Sequence, residues 1–148
     1  PPTSSVFTIG TGTSTNENNG TYIAYCFADV KGFSKFGSYV GNGSTDGTFV
    51  YTGMKPAFVL LKNTADGGAN WHLFDNKRDS HNVVSHRLFP SNGNAEATDA
   101  NNHIDMISTG FKARLANGDT NANGTTFIYM AFAENPLVGT NGIPATAR

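Results

Sequence analysis

The chain of 148 residues makes about one domain, and a domain of that size buries roughly 70% of its unfolded surface without disulfide or metal support. It carries 17 Gly, 17 Asn and 17 Thr, no Gln, and only 14% charged residues, a set rich in turn and strand formers that leaves no amphipathic helical window. A net charge of −1 with ten scattered basic residues excludes the concentrated cationic face of a nucleic-acid binder. The longest apolar runs, residues 22–28 and 127–133, fall far short of the ~20 residues a membrane helix needs.

Taken in chain order, residues 1–18 form a polar lead-in with one short strand candidate at 6–9, and residues 19–148 form a single β domain. Pro1 in place of an initiating Met implies a processed chain or a piece of a longer one. Residues 22–29 (YIAYCFAD) are apolar on both faces, the pattern of a strand covered on both sides. Cys26 lies inside this run and is expected to be a small core residue. Residues 35–40 and 48–52 are predicted to pair as a hairpin across the loop 41–47.

Residues 57–62 (AFVLLK) and 70–75 (NWHLFD) are the next predicted strand pair, with Pro56 at the only strand position it suits, the first. Residues 76–103 are long and polar, anchored by Val83-Val84 and Leu88-Phe89. Such a stretch either folds over one end of the sandwich or carries function. Residues 104–108 and 111–115 are joined by Thr109-Gly110. In the second, Phe111, Ala113 and Leu115 alternate with Lys112 and Arg114, the pattern of a half-buried strand. A final strand is predicted at 126–134, followed by a short tail. The six Asn-Gly pairs, at Asn19, Asn42, Asn92, Asn117, Asn123 and Asn141, read as turns.

An internal echo links the two ends. Asn19-Gly20-Thr21 precedes YIAYCFAD, and Asn123-Gly124-Thr125-Thr126 precedes FIYMAFAE. Each is a turn, a seven-residue apolar run ending on Phe-Ala, and an acid. The echo predicts that both runs hold related central positions in one core.

The segments GFSKFGSYVGNGSTDGTFVYTGMKPAFVLLKNT, WHLFDNKRD, IDMISTGFKARL and IYMAFAENPLVGTNGIPATAR, in that order, resemble a module near the C-termini of tail-associated and other structural proteins of bacteriophages. The resemblance covers residues 22–148. It implies an antiparallel β-sandwich of the jelly-roll, concanavalin A or SPRY type, displayed on the virion surface. It brings no catalytic residues with it.

The residues themselves do not supply an enzyme. Glycan cleavage needs paired carboxylates about 5 to 10 Å apart. No E-x-D-x-x-E strand occurs, and Glu17, Glu96 and Glu134 are the only glutamates. There is no G-x-S-x-G, and His72, His81, His86 and His103 have no evident nucleophile partner. His81 and His86, five apart in a loop, read as solvated histidines and not as metal ligands. Calcium is the one metal the loops leave room for, at Asp46, Asp66 and Asp119, but without a D-x-D-x-D-G run these read as turn formers, and no cofactor is expected.

Sugar binding rests on an exposed aromatic with directed polar groups beside it. Trp71, the only tryptophan, and the charged cluster Asp75, Arg78 and Asp79 form the candidate glycan site. The competing readings are a core tryptophan and a salt-bridged turn. The expectation is a non-enzymatic virion surface module, in a tail fibre or similar receptor-binding projection, that recognises host glycan. Its partners would be other virion proteins and host surface glycan, and it would work as a homo-oligomer. An architectural decoration or assembly subunit without a ligand is the alternative, and a depolymerase fragment the third.

Overall fold

The computed structural model describes residue 3 and residues 5–98 and 102–135. The tail beyond residue 135, Asn141-Gly142 and Asp99 lie outside the described residues. The fold is an all-β antiparallel sandwich, with, among the described residues, one helical turn, α1 (Thr13–Asn16), ahead of nine strands. The strands are β1 (Ser34–Val40), β2 (Phe49–Tyr51), β3 (Pro56–Asn63), β4 (Trp71–Asp75), β5 (His86–Leu88), β6 (Ala97–Thr98), β7 (Ile104–Ile107), β8 (Gly110–Ala113) and β9 (Thr126–Ala133). One sheet runs β1-β9-β3-β4-β5-β6 and the other β2-β8-β7.

Period-two alternation decides which side chains face the other sheet. Val59 and Leu61 of β3, Phe74 of β4, and Phe127, Tyr129 and Ala131 of β9 point inward and are buried. They meet Val50, Ile104, Met106, Phe111 and Ala113 of the smaller sheet. Phe111 contacts the rings of Tyr39 and Tyr129 edge-on, with centroids 5.9 and 5.5 Å away. The Tyr39 hydroxyl, buried with them, donates to the Thr120 carbonyl at 2.6 Å. Burial raises the Tyr39 pKa, so the phenol stays a neutral donor.

The β3–β4 pair forms as expected, with Leu60 opposite Leu73 and Lys62 opposite Trp71. The β7–β8 pair forms too, but its turn is Ser108-Thr109, one residue earlier than expected, and Gly110 opens β8 opposite Ile107. Gly110 is required there: a Cβ would sit 2.0 Å from the Val50 carbonyl oxygen of β2. Gly43 and Gly124, each the second member of an Asn-Gly pair, take positive φ values of 63° and 70°, as turn chemistry demands.

Four expectations are corrected. Residues 22–29 are not a central strand: they form no strand and are exposed, with Ile23 and Tyr25 each 81% accessible. Of the two echoing runs only the second is central, because β9 fills the slot between β1 and β3. Apolarity on both faces marks a strand able to occupy such a slot without saying which run does. Cys26 is accordingly exposed, not a core residue. Residues 6–9 also form no strand.

The predicted hairpin of β1 with β2 does not form either, since the two lie in different sheets. The fully buried Asn121 explains the divergence. Its side-chain carbonyl accepts from the Asn42 backbone N–H at 3.1 Å, and its amide donates to the Asn42 side chain and the Ser44 carbonyl, both at 2.9 Å. The loop is therefore tied to the 117–124 turn, and the chain after it pairs with β8.

Candidate functional site

Strand β4 sorts the predicted site residues by parity. His72 and Phe74 point into the core, which leaves Trp71, Leu73 and Asp75 on the outer face of the larger sheet. Trp71 is half-buried opposite Lys62, and its backbone N–H donates to the Ser91 hydroxyl at 3.2 Å. It is not a core residue. Asp75 lies four residues along the strand, about 13 Å away at strand rise. Trp71 and the charged cluster thus share a face but not a pocket.

The cluster builds the exit from β4. Asp75 accepts the backbone N–H groups of Lys77 and Arg78, both at 2.9 Å, and its second oxygen pairs with the Arg78 guanidinium. Arg78 Nε also reaches Glu96 at 2.8 Å. Asp79 accepts from the backbone N–H of Ser85 at 2.6 Å and of His86 at 2.7 Å, and pairs with His86 Nδ1 at 2.7 Å. Burial alone would raise the Asp79 pKa, but the His86 and Ser85 N–H groups and the His86 ring together outweigh it and lower the value. Asp79 is therefore held as a carboxylate, and it pins the start of β5 against the turn. His86, expected as a solvated histidine, is instead part of that pin. His81 is exposed and shares a 2.9 Å hydrogen bond with Ser80.

Behind the pin lies a polar cleft of about 230 Å³, where the connection after β4 folds across the ends of β3 and β9. Its floor is fixed by cross-links between distant parts of the chain. Glu134 accepts from the Asn76 amide at 2.9 Å and pairs with Lys55 Nζ at 2.6 Å. Asn82 exchanges two bonds with the Met106 backbone, donating at 3.0 Å and accepting at 2.9 Å. Lys77, Ser80 and His81 form an exposed rim, and Asp79 closes the wall. Fixed amides, carboxylates and ammonium groups converging on one small hollow suit a ligand with many hydroxyl groups. Of the predicted residues the cleft takes in Asp79 alone. Lys55, Asn82 and Glu134 have no local signal for it, because they meet only once β9 and the 76–84 connection are in place.

The loop aspartates have protein partners or turns of their own. Asp46 pairs with Lys112, whose ammonium group lowers the Asp46 pKa. Asp66 accepts the Gly68 N–H at 2.8 Å within its own turn. Asp119 lies 3.6 Å from the buried His72 Nε2. Among the described residues no three His, Cys, Asp or Glu side chains gather as metal ligands, and no helix is long and apolar enough to cross a membrane.

No curated protein and no solved structure matches the chain. The match that exists runs through both sheets and through every residue of the cleft: residues 1–136 fit the domain of unknown function DUF7483, and the chain belongs to that family.

Proposed function

We propose that this domain is a non-enzymatic surface module of a bacteriophage virion, in a tail fibre or similar projection, that binds host surface glycan. The observation that carries the reading is the polar cleft, in which Lys55, Asn76, Asp79, Asn82 and Glu134 are held by one another or by backbone. Preorganised polar groups keep the ordering cost of a weak sugar contact low. The lectin-type sandwich and the virion setting come from the resemblance of residues 22–148 to phage structural proteins.

The same geometry speaks against glycan cleavage. A general acid needs a carboxyl whose pKa is raised towards the working pH. Asp79 is shifted the other way by its N–H donors, and Glu134 is occupied as hydrogen-bond acceptor and ion-pair partner of Asn76 and Lys55. Both act as fixed acceptors. Repetition of the module in a homo-oligomer would strengthen weak single-site binding through avidity.

An array of bacterial surface oligosaccharides tests the proposal. The domain should bind a subset, and the double variant Lys77→Ala/His81→Ala, which alters only the exposed rim, should lose at least about tenfold in affinity while staying folded. Binding equal to wild type would remove the cleft from the account. Release of reducing sugar would make the protein a depolymerase.

A specific observation favours a second reading, the architectural or assembly subunit. Tyr22, Ile23, Tyr25 and Phe27 expose large apolar side chains in one short segment, a feature of contact surfaces between proteins.

A further inference from the structure

Residues 22–28 have the composition of a strand and no place in either sheet. Three aromatics, Tyr22, Tyr25 and Phe27, stand with Ile23 in a run without Pro or Gly, which is strong β propensity. Tyr22, Ile23, Tyr25 and Phe27 are nevertheless 45, 81, 81 and 56% accessible. Phe27 lies against the sandwich, stacking on Phe36 with centroids 5.8 Å apart and meeting Phe132 edge-on at 5.9 Å.

Beside this segment lies a matching vacancy in hydrogen bonding. β1 is an edge strand, with β9 on one side only. Ser34 exchanges backbone bonds with Val30, the Phe36 N–H goes to Asp29, and the Val40 carbonyl accepts from Thr48. All are even-numbered, so strand parity places the N–H and C=O of Ser38 on that same outer edge. The edge borders a cleft of about 450 Å³ shared with Tyr51 and Thr52, at the end of the smaller sheet's own edge strand.

The chain does not close this edge with its own segment. The Val30–Ser34 bridge begins such a hairpin, but the next rung is diverted. The Asp29 carboxylate takes the Phe36 N–H at 2.8 Å, and the Ala28 carbonyl accepts from the Ser34 hydroxyl at 2.8 Å. The segment therefore leaves the sheet at Ala28.

We infer that residues 22–28 add as a strand to the free edge of β1 in a second copy of this chain. The larger sheet is apolar on both faces near that edge. Its core side carries Tyr39 and Phe127. Its outer side carries one apolar row across five strands, Phe36, Met130, Leu60, Leu73 and Leu88, each opposite the next in register. A strand continuing this sheet must be apolar on both faces, as residues 22–28 are. Three aromatic side chains and an isoleucine, exchanged reciprocally between two copies, bring the buried area to the order of the ~1,200 Å² at which specific interfaces begin.

Light scattering on the full chain reads the mass. The wild type should run at twice 15.7 kDa or more. Ile23→Asp/Tyr25→Asp should run at the single-chain mass with an unchanged circular-dichroism spectrum, since neither side chain belongs to the core. Ser38→Pro removes only the outward N–H and should also be monomeric. A mixture of these two variants can complete only one of the two reciprocal contacts, so any mixed dimer should be much weaker than the wild-type one. A wild type at single-chain mass, or an Ile23→Asp/Tyr25→Asp variant as large as wild type, would each overturn the inference. If Ser38→Pro does not fold, Ile23→Asp/Tyr25→Asp against wild type still decides it.

Discussion

The Asn76 amide donates to the Glu134 carboxylate at 2.9 Å, joining the residue after β4 to the residue after β9 across 58 positions of sequence. Lys55 Nζ meets the other oxygen of the same carboxylate at 2.6 Å, so one side chain ties the ends of three neighbouring strands. Glu134→Ala strands a half-buried amide and removes an ion-pair partner, and should cost about 1–2 kcal/mol in urea unfolding. Glu134→Gln keeps an acceptor for Asn76 and should cost less. Equal midpoints for Glu134→Ala and wild type would show that the tie contributes nothing.

Asp79 makes acid stability the next prediction. Its folded-state pKa lies below the unfolded value of about 3.9. The stabilisation it gives is therefore present above that value and is lost as pH falls through the lower, folded one. At pH 7, Asp79→Asn should be less stable than wild type by about 1–3 kcal/mol. The gap should narrow once the pH drops below about 4. A gap that stays constant down to the acid transition would mean the carboxylate charge is not what pins β5.

Gly110 tests the seam of the smaller sheet. A Cβ there would press within 2.0 Å of the Val50 carbonyl oxygen, a backbone atom that cannot move without parting β2 from β8. Gly110→Ala should cost about 3 kcal/mol or more, whereas Gly118→Ala, with nothing within 4 Å of the added carbon, should stay within about 0.5 kcal/mol. Thermal unfolding of the two variants side by side reads the contrast. Equal losses would contradict the packing at the seam.

The parts of this fold legible in the sequence are short apolar runs bounded by turn formers. Residues 57–62, 70–75, 104–108, 111–115 and 126–134 are such runs, with strict alternation in 111–115, and each coincides with a strand to within two residues. Pairing was legible only where the partners are neighbours in sequence, as in β3–β4 and β7–β8. The position of β1 beside β9, and of β2 beside β8, depends on the buried Asn121 clasp some 80 residues from the loop it holds. No local pattern announces such a contact. Residues 22–29 misled because apolarity on both faces describes a slot that another strand had filled. The charged cluster at 75–79 is visible in the sequence as a dense run, but its partners Ser85, His86 and Glu96 come from the long polar connection. Trp71 and Asp79 looked close in sequence and were separated by the straightness of β4.

Amide chemical-shift mapping reads whether the polar cleft receives a glycan. The labelled domain is titrated with whichever bacterial surface oligosaccharide gives the strongest array signal. Perturbations are expected at residues 76–82 and at Lys55 and Glu134, with Trp71 and Ser91 unmoved. Shifts gathered around Trp71, or an array on which the domain binds nothing, would contradict glycan binding in the cleft.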